Sequence, residues 1–195
     1  MQAAEVISFW FEEIPSESWF KKDADFDELI RQRFLQAHHA ATAGELYGWR
    51  STALGRLAEI IVLDQFSRNI FRDQSLAFAW DAQALVLAQE AVTAGVLEQL
   101  EFSQQAFLIM TYMHSESKII HEQAIKLFSR PGLEFNLDFE KRHKVIIDRF
   151  GRYPHRNEIL GRQSSAEEEE FLKQPGSAFK QSLIGTAPGP YSGCD

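Results

Sequence analysis

The residues of this chain that carry chemistry fall into three short stretches. The first, "LDQFSRNIFRD", follows directly on the apolar run Ile60, Ile61, Val62 and sets Asp64 four residues from Arg68, Gln65 from Asn69, and Arg68 from Arg72. On a helix, side chains at that spacing are neighbours on one face. An acid beside so apolar a run is costly to bury unless it is paired and hydrogen-bonded. Two outcomes fit. Asp64 and Arg68 tie the helix packing together, or Asp64 orients Arg68 or Arg72 as the anchor for a ligand. Both need Asp64 ionised, and they differ in whether the guanidinium keeps free donors.

The second stretch is "TYMHSESKIIHEQ". His114, Lys118 and His121 share a face if one helix runs through it, with Glu116 on another side. Two histidines and a carboxylate invite a metal, and a metal-dependent hydrolase using His114, Glu116 and either His121 or His143 is one alternative. The spacing is not that of a known ligand motif, and HExxH is absent. No metal site is therefore assigned, and no cofactor is named. Ser115 beside His114 is not evidence of a dyad, since geometry decides that. His38 and His39 read as surface or edge residues of an ordinary amphipathic helix.

The third stretch, "DRFGRYPHRNEILGR" at 148–162, gathers Arg149, Arg152, Arg156, Arg162 and His155 in a chain whose net charge is −8. Gly151 suits the position just past a helix end, and Arg149 the negative end of that helix. Pro154 suits the first position of the next turn. Backbone donors around His155 to Asn157 would then point outward and suit an anion, with Arg152 and Arg156 adding bidentate contacts. The plainer reading has these arginines satisfying helix carbonyls and pairing with Asp148, Glu158 or the acidic run "EEEE" at 167–170.

The elements that must place these residues are helical, because the apolar periodicity is helical almost throughout and strand signals are nearly absent. "AAEVISFWF" is a first helix, closed by Pro15. "DADFDELIRQRFLQAHHAATAG" is a second, and "STALGRLAEIIVLDQFSRNIF" a third that is apolar on all sides at its centre. "SLAFAWDAQALVLAQEAVTAG" is expected to run from a Ser cap to Gly95. "SQQAFLIMTYMHSESKIIHEQAIKLFS" reads as two helices meeting near His114–Ser117, where a polar break suits a cap. "NLDFEKRHKVIIDRF" ends at Gly151, and in "SSAEEEEFLKQ" Ser164 and Glu167 match a capping box. The glutamate run is expected to be a solvated first turn. The fold class is all-α: a single-domain antiparallel helical array of about seven to nine helices over residues 1–175. The Gly/Pro-rich stretch 176–195 follows as a tail. No repeat of tetratricopeptide period is visible in the sequence.

With 195 residues, 45% of them hydrophobic, the chain can bury one good core. Its acidity argues against nucleic acid or an anionic membrane as partner, though not against a small anion at a local basic site. One cysteine, Cys194, excludes a disulfide framework. A membrane span and a signal peptide are not evident, so a cytoplasmic location is expected.

Taken in order, "LDQFSRNIFRD", "MHSES" and "RFGRYPHRNEILGRQSSAEEEEFL" closely resemble the bacterial DUF924 family of uncharacterised proteins, and "VISFWF" and "LAEIIVLDQF" extend the match over most of residues 3–173. The resemblance implies a tetratricopeptide-like helical fold and no known reaction. Its motifs correspond to Asp64, Gln65, Arg68, Asn69 and Arg72; to His114, Ser115 and Glu116; and to Arg149, Gly151, Arg152, Pro154, His155, Arg156 and Asn157. Ser67 stands where relatives commonly have Pro, and Tyr153 where they often have Phe.

The expectation is that the three stretches converge on one polar pocket. There Arg68, Arg152 and Arg156 would bind a small phosphate- or carboxylate-bearing molecule, helped by Asp64, Gln65, Asn69, Arg72 and Asn157. His114 and His155, with Glu116, are the candidates for acid–base chemistry. Whether turnover follows is left open. The rival is a tetratricopeptide-like adaptor binding a peptide or protein partner on a face lined by Trp10, Trp19, Trp49 and Trp80, residues that otherwise pack the core.

Overall fold

A computed structural model describes residues 1–177, and within them all regular structure is helical. In chain order the α-helices are α1 (Ala3–Ser8), α2 (Ala24–Thr42), α3 (Ala53–Ile61), α4 (Ser67–Ile70), α5 (Asp81–Thr93), α6 (Phe102–Met113), α7 (Lys118–Phe128), α8 (Glu134–Phe150) and α9 (Ala166–Leu172). Local chemistry sets several of their ends. The Asp23 carboxylate accepts from the backbone N–H groups of Asp25 and Phe26 at the start of α2, and Thr52 Oγ1 accepts from Gly55 N at the start of α3. Gly151 ends α8 at φ 69°, a left-handed conformation that a Cβ would oppose.

Two expected boundaries differ. The capping box of α9 is Ser165 with Glu168, one residue later than Ser164 with Glu167, because Ser164 Oγ accepts from Asn157 Nδ2 instead. Ser75 caps no α-helix: residues Ser75–Phe78 form a 3-10 turn, and α5 begins at Asp81. The break between α6 and α7 falls at 114–117 as expected, so His114, Lys118 and His121 do not share one helical face. The tail expected from Gly176 lies, from residue 178 on, outside the described residues.

The third helix does what its apolar centre requires. Ile60, Ile61, Val62 and Leu63 are all buried, and α1, α5 and α6 pack around α3. The helix changes hydrogen-bond register at a π turn, Val62–Phe66, before resuming as α4. A helix enclosed on every side has no solvent face for its polar residues, so Asp64 and Gln65 are buried with it, as is Glu59. Arg50 neutralises Glu59 through two contacts of 2.7 Å.

Aromatic side chains fill the space between these helices. Phe34 and Phe66 lie 4.7 Å apart, and Trp10 meets Phe107 edge-on at 5.6 Å. Trp10 and Trp19 are buried, while Trp49 and Trp80 pack partly buried against the same cluster. All four tryptophans pack in or against the core cluster, and Trp19 also borders an open cleft beside Gln104. His38, expected at the surface, is fully buried, with Trp80 edge-on at 4.6 Å, whereas His39 is exposed. A smaller cluster, Ile146, Ile147 and Tyr153 with Phe150 and Phe171, is separate from the main core.

Phe66 makes the core measurable. Phe66→Ala should cost about 3–5 kcal/mol in urea denaturation, from lost burial and the cavity left behind. Val145→Ala, at a 65% exposed position, should stay within about 0.5 kcal/mol.

Candidate functional site

The site begins at Asp64, on the π turn and 1% exposed. Its Oδ1 accepts from Arg68 Nη1 at 3.0 Å and from His114 Nδ1 at 2.8 Å, and its Oδ2 accepts from Gln65 Nε2 at 2.6 Å. Burial alone would push this carboxyl up. The Arg68 charge, His114 and the hydrogen bonds outweigh burial and hold it well below the usual carboxylate range. Asp64 is therefore ionised.

An ionised Asp64 settles the tautomer of His114. The proton sits on Nδ1 and bonds the carboxylate, leaving a lone pair on Nε2. Burial, and then the Arg68 charge, lower the His114 pKa from its ordinary 6.5 against the pull of Asp64, so the ring is neutral at neutral pH. His114 follows directly on the C-terminus of α6, and its Nε2 has no hydrogen-bond partner among the described residues.

Arg68 turns its other end to Asp81, with Nη2 at 3.0 Å from Oδ1. Arg156 Nη1 reaches Asp81 Oδ2 at 3.2 Å. The Arg156 guanidinium lies between two rings, 4.6 Å from the centre of Phe78 and 4.7 Å from that of Tyr153. It is 6% exposed, and its Nε is buried without a hydrogen-bond partner among the described residues. Tyr153 is anchored by its hydroxyl, which donates to Met113 O at 2.5 Å, and by its backbone N–H, which donates to Glu116 Oε1 at 2.8 Å. One network thus joins α3–α4, the start of α5, the end of α6 and the Pro154–Arg156 turn.

Other expected members stand outside it. Asn69 and Arg72 both donate to Asp27 on α2. Arg152 grips Glu168 through Nε and Nη2 at 2.6 and 2.7 Å, Arg149 pairs with Glu167 and Lys173 with Glu170, so three of the four glutamates are ion-paired rather than merely solvated. Asn157 bonds Ser164 and accepts from Arg162. Two of the outward-facing donors expected at 155–157 are also spent. Arg156 N and Asn157 N close the turn on Tyr153 O and Pro154 O, and the carboxylate beside the turn is the chain's own Glu116, gripped by Arg162 at 2.6 and 3.0 Å. His155 packs by Tyr153, and burial followed by the Arg156 charge pushes it down to about 4.

The metal alternative loses its donors in the same way. His114 faces Asp64, and Glu116 faces Arg162. His121 bonds Glu140 at 2.6 Å and Ser115 O at 2.8 Å, while His143 bonds Phe139 O. Among the described residues no three His, Cys, Asp or Glu side chains converge to hold a metal ion.

A buried serine–histidine pair, Ser67 Oγ and His38 Nε2 at 2.8 Å, has the wrong polarity for a nucleophile. Ser67 donates to Leu63 O, so His38 must donate to Ser67 and takes no proton from it. Two open clefts, of about 350 and 400 Å³, involve Trp19 with Gln104 and Phe102 with Arg130, and none of the network residues lines either.

Sequence reasoning missed Asp81, Phe78 and Tyr153 as site-builders. An acid in the first turn of a helix reads as an ordinary complement to the helix dipole, and nothing local marks Asp81 as the shared partner of two distant arginines.

Glu168 yields a pH prediction. The Arg152 hydrogen bonds, against the opposing effect of burial and helped by Ser165 N, lower its pKa from 4.5 to about 2. A depressed folded pKa means that its stabilisation is present above the unfolded value and is lost as pH falls through the folded one. Wild type should therefore lose stability between pH 4.5 and about 2 more steeply than Glu168→Gln, as read by denaturant unfolding at several pH values.

No functionally curated protein matches the chain. The family model described as "Bacterial protein of unknown function (DUF924)" matches residues 6–176. A solved structure of a protein of unknown function from Agrobacterium tumefaciens is similar at 37% identity and a TM-score of 0.83, over 88% of this chain and 96% of that one. With the family model spanning nearly all of the described residues, the chain belongs to the DUF924 family of bacterial proteins of unknown function.

Proposed function

We propose that the network around His114 binds a small anionic molecule through Arg156 and Arg68, with His114 Nε2 as its acid–base group. The observation that supports this is the state of Arg156. A guanidinium carries five N–H donors, and buried donors left unmet cost about 1–3 kcal/mol each. Arg152 and Arg162 meet that demand with bidentate carboxylates, whereas buried Arg156 has one hydrogen bond of 3.2 Å and an unpartnered Nε. A carboxylate or phosphate oxygen at that edge would satisfy it.

The chemistry offered is that of a base without a protein nucleophile. Asp64 fixes the His114 tautomer, and the neutral Nε2 is ready to take a proton from a bound ligand or from water. Asp64, Gln65 and Asp81 act as positioning residues. Arg152, Arg72, Asn69 and Asn157 belong to the scaffold.

The test is a thermal-shift screen of carboxylated and phosphorylated metabolites on wild type, Arg156→Gln and Arg152→Ala. A ligand at a hundred times its Kd should add about 2.7 kcal/mol to wild type. Arg156→Gln should lose that gain, while Arg152→Ala melts earlier but keeps it. Loss of the gain in Arg152→Ala alone, or no gain with any compound, overturns the reading.

A further inference from the structure

The resting charge of the network points to the class of its ligand. The groups around Arg156 are Asp64, Asp81 and Glu116 on one side of the ledger and Arg68, Arg156 and Arg162 on the other: ion pairs join Asp64, Arg68, Asp81 and Arg156 in a chain, and the separate Arg162–Glu116 pair meets it through Tyr153. Three negative charges meet three positive ones. His114 and His155 add nothing at neutral pH, since His114 is neutral and His155 is pushed down to about 4 by burial and by Arg156. The count is zero before any ligand arrives.

An entering monoanion leaves one charge to be balanced, and one base stands ready for it: His114, whose Nε2 can take a proton while Nδ1–H stays on Asp64. A second negative charge has no such partner, because His155 is held too strongly neutral. In a partly desolvated site that unbalanced charge costs far more than it would in water.

Asp81 sets this balance. Among the described residues it is the one carboxylate that touches both Arg68 and Arg156. Without it Arg68 would keep only Asp64 and Arg156 would have no ion-pair partner among the described residues, and the surplus positive charge would suit a dianion. Asp81 also fixes which part of Arg156 is left: Nη1 is engaged, the faces are covered by Phe78 and Tyr153, and the edge carrying Nε remains.

Building on the anion-binding reading, we propose that Asp81 is the specificity-determining residue of this site, selecting a monoanionic carboxylate over a phosphate dianion.

The experiment titrates acetate and methyl phosphate into full-length protein and follows the Arg156 Nε–H cross-peak by NMR, assigned through its loss in Arg156→Gln. A phosphate monoester changes from monoanion to dianion with a second pKa of about 6. The ratio of methyl phosphate to acetate affinity in wild type should therefore fall at least about tenfold between about pH 5.5 and about pH 8. Taking the ratio cancels the proton that either ligand brings to His114. In Asp81→Asn the fall should shrink to less than about threefold, whereas Asp81→Glu, which keeps the charge, should retain it.

A ratio that stays constant or rises in wild type overturns the proposal, and so does an undiminished fall in Asp81→Asn. The wild-type arm decides even if Asp81→Asn does not fold. If neither anion moves the Arg156 signal at any pH, the anion-binding reading fails, and the proposal with it. Movement by acetate with no discrimination leaves that reading intact and removes Asp81 as selector.

Discussion

The burial of an ionised carboxylate in the most enclosed helix of the molecule governs much of what surrounds it. Asp64 sits where α1, α5 and α6 leave α3 no face to water, and a lone charge there would cost several kcal/mol. The chain meets that demand by bringing Arg68, Gln65 and His114 to its two oxygens. The demand then propagates. Arg68 is itself largely enclosed and takes Asp81, and Asp81 in turn takes Arg156. An acid at one position of one helix thus dictates partners on three other elements, and removing a member leaves a buried charge exposed to its own desolvation.

The arginines of the chain divide by how completely they are answered. Arg50, Arg152 and Arg162 each lie against a carboxylate with two hydrogen bonds; the first two hold irregular segments to helices, and the third ties two loops together. Arg156 is answered by one weak bond and two aromatic faces. Aromatic faces neutralise a cation without using its N–H groups. Such packing keeps a guanidinium buried while leaving N–H groups able to donate.

What the sequence made legible was local. The Asp64–Arg68 pair, the break after His114, the turn at Pro154 and the stop at Gly151 all follow from spacing and residue type, and all are present. The helical class followed from periodicity. The long-range pairings were not legible, because a charged residue does not announce which opposite charge the fold will bring to it. Arg72 looked like a site residue until Asp27, from α2, claimed it, and Arg152 until Glu168 did. His38 looked peripheral because it sits on an ordinary amphipathic helix, whereas Trp80 covers it from another element. Asp81 carried no local sign of its role at all.

The small cluster of Ile146, Ile147 and Tyr153 has a consequence for how the network comes and goes. Arg156 enters from a segment whose apolar anchoring is far smaller than that of the main core and is separate from it. Regions with little buried apolar surface open at lower free energy than the globule as a whole. Opening here would withdraw Arg156 from Asp81 and Tyr153 from Met113 while α3 and α6 stayed packed. Amide exchange in residues 151–162 would then report on assembly of the network rather than on global unfolding. A molecule bridging Arg156 and His114 would slow that exchange without touching the exchange of the central helix.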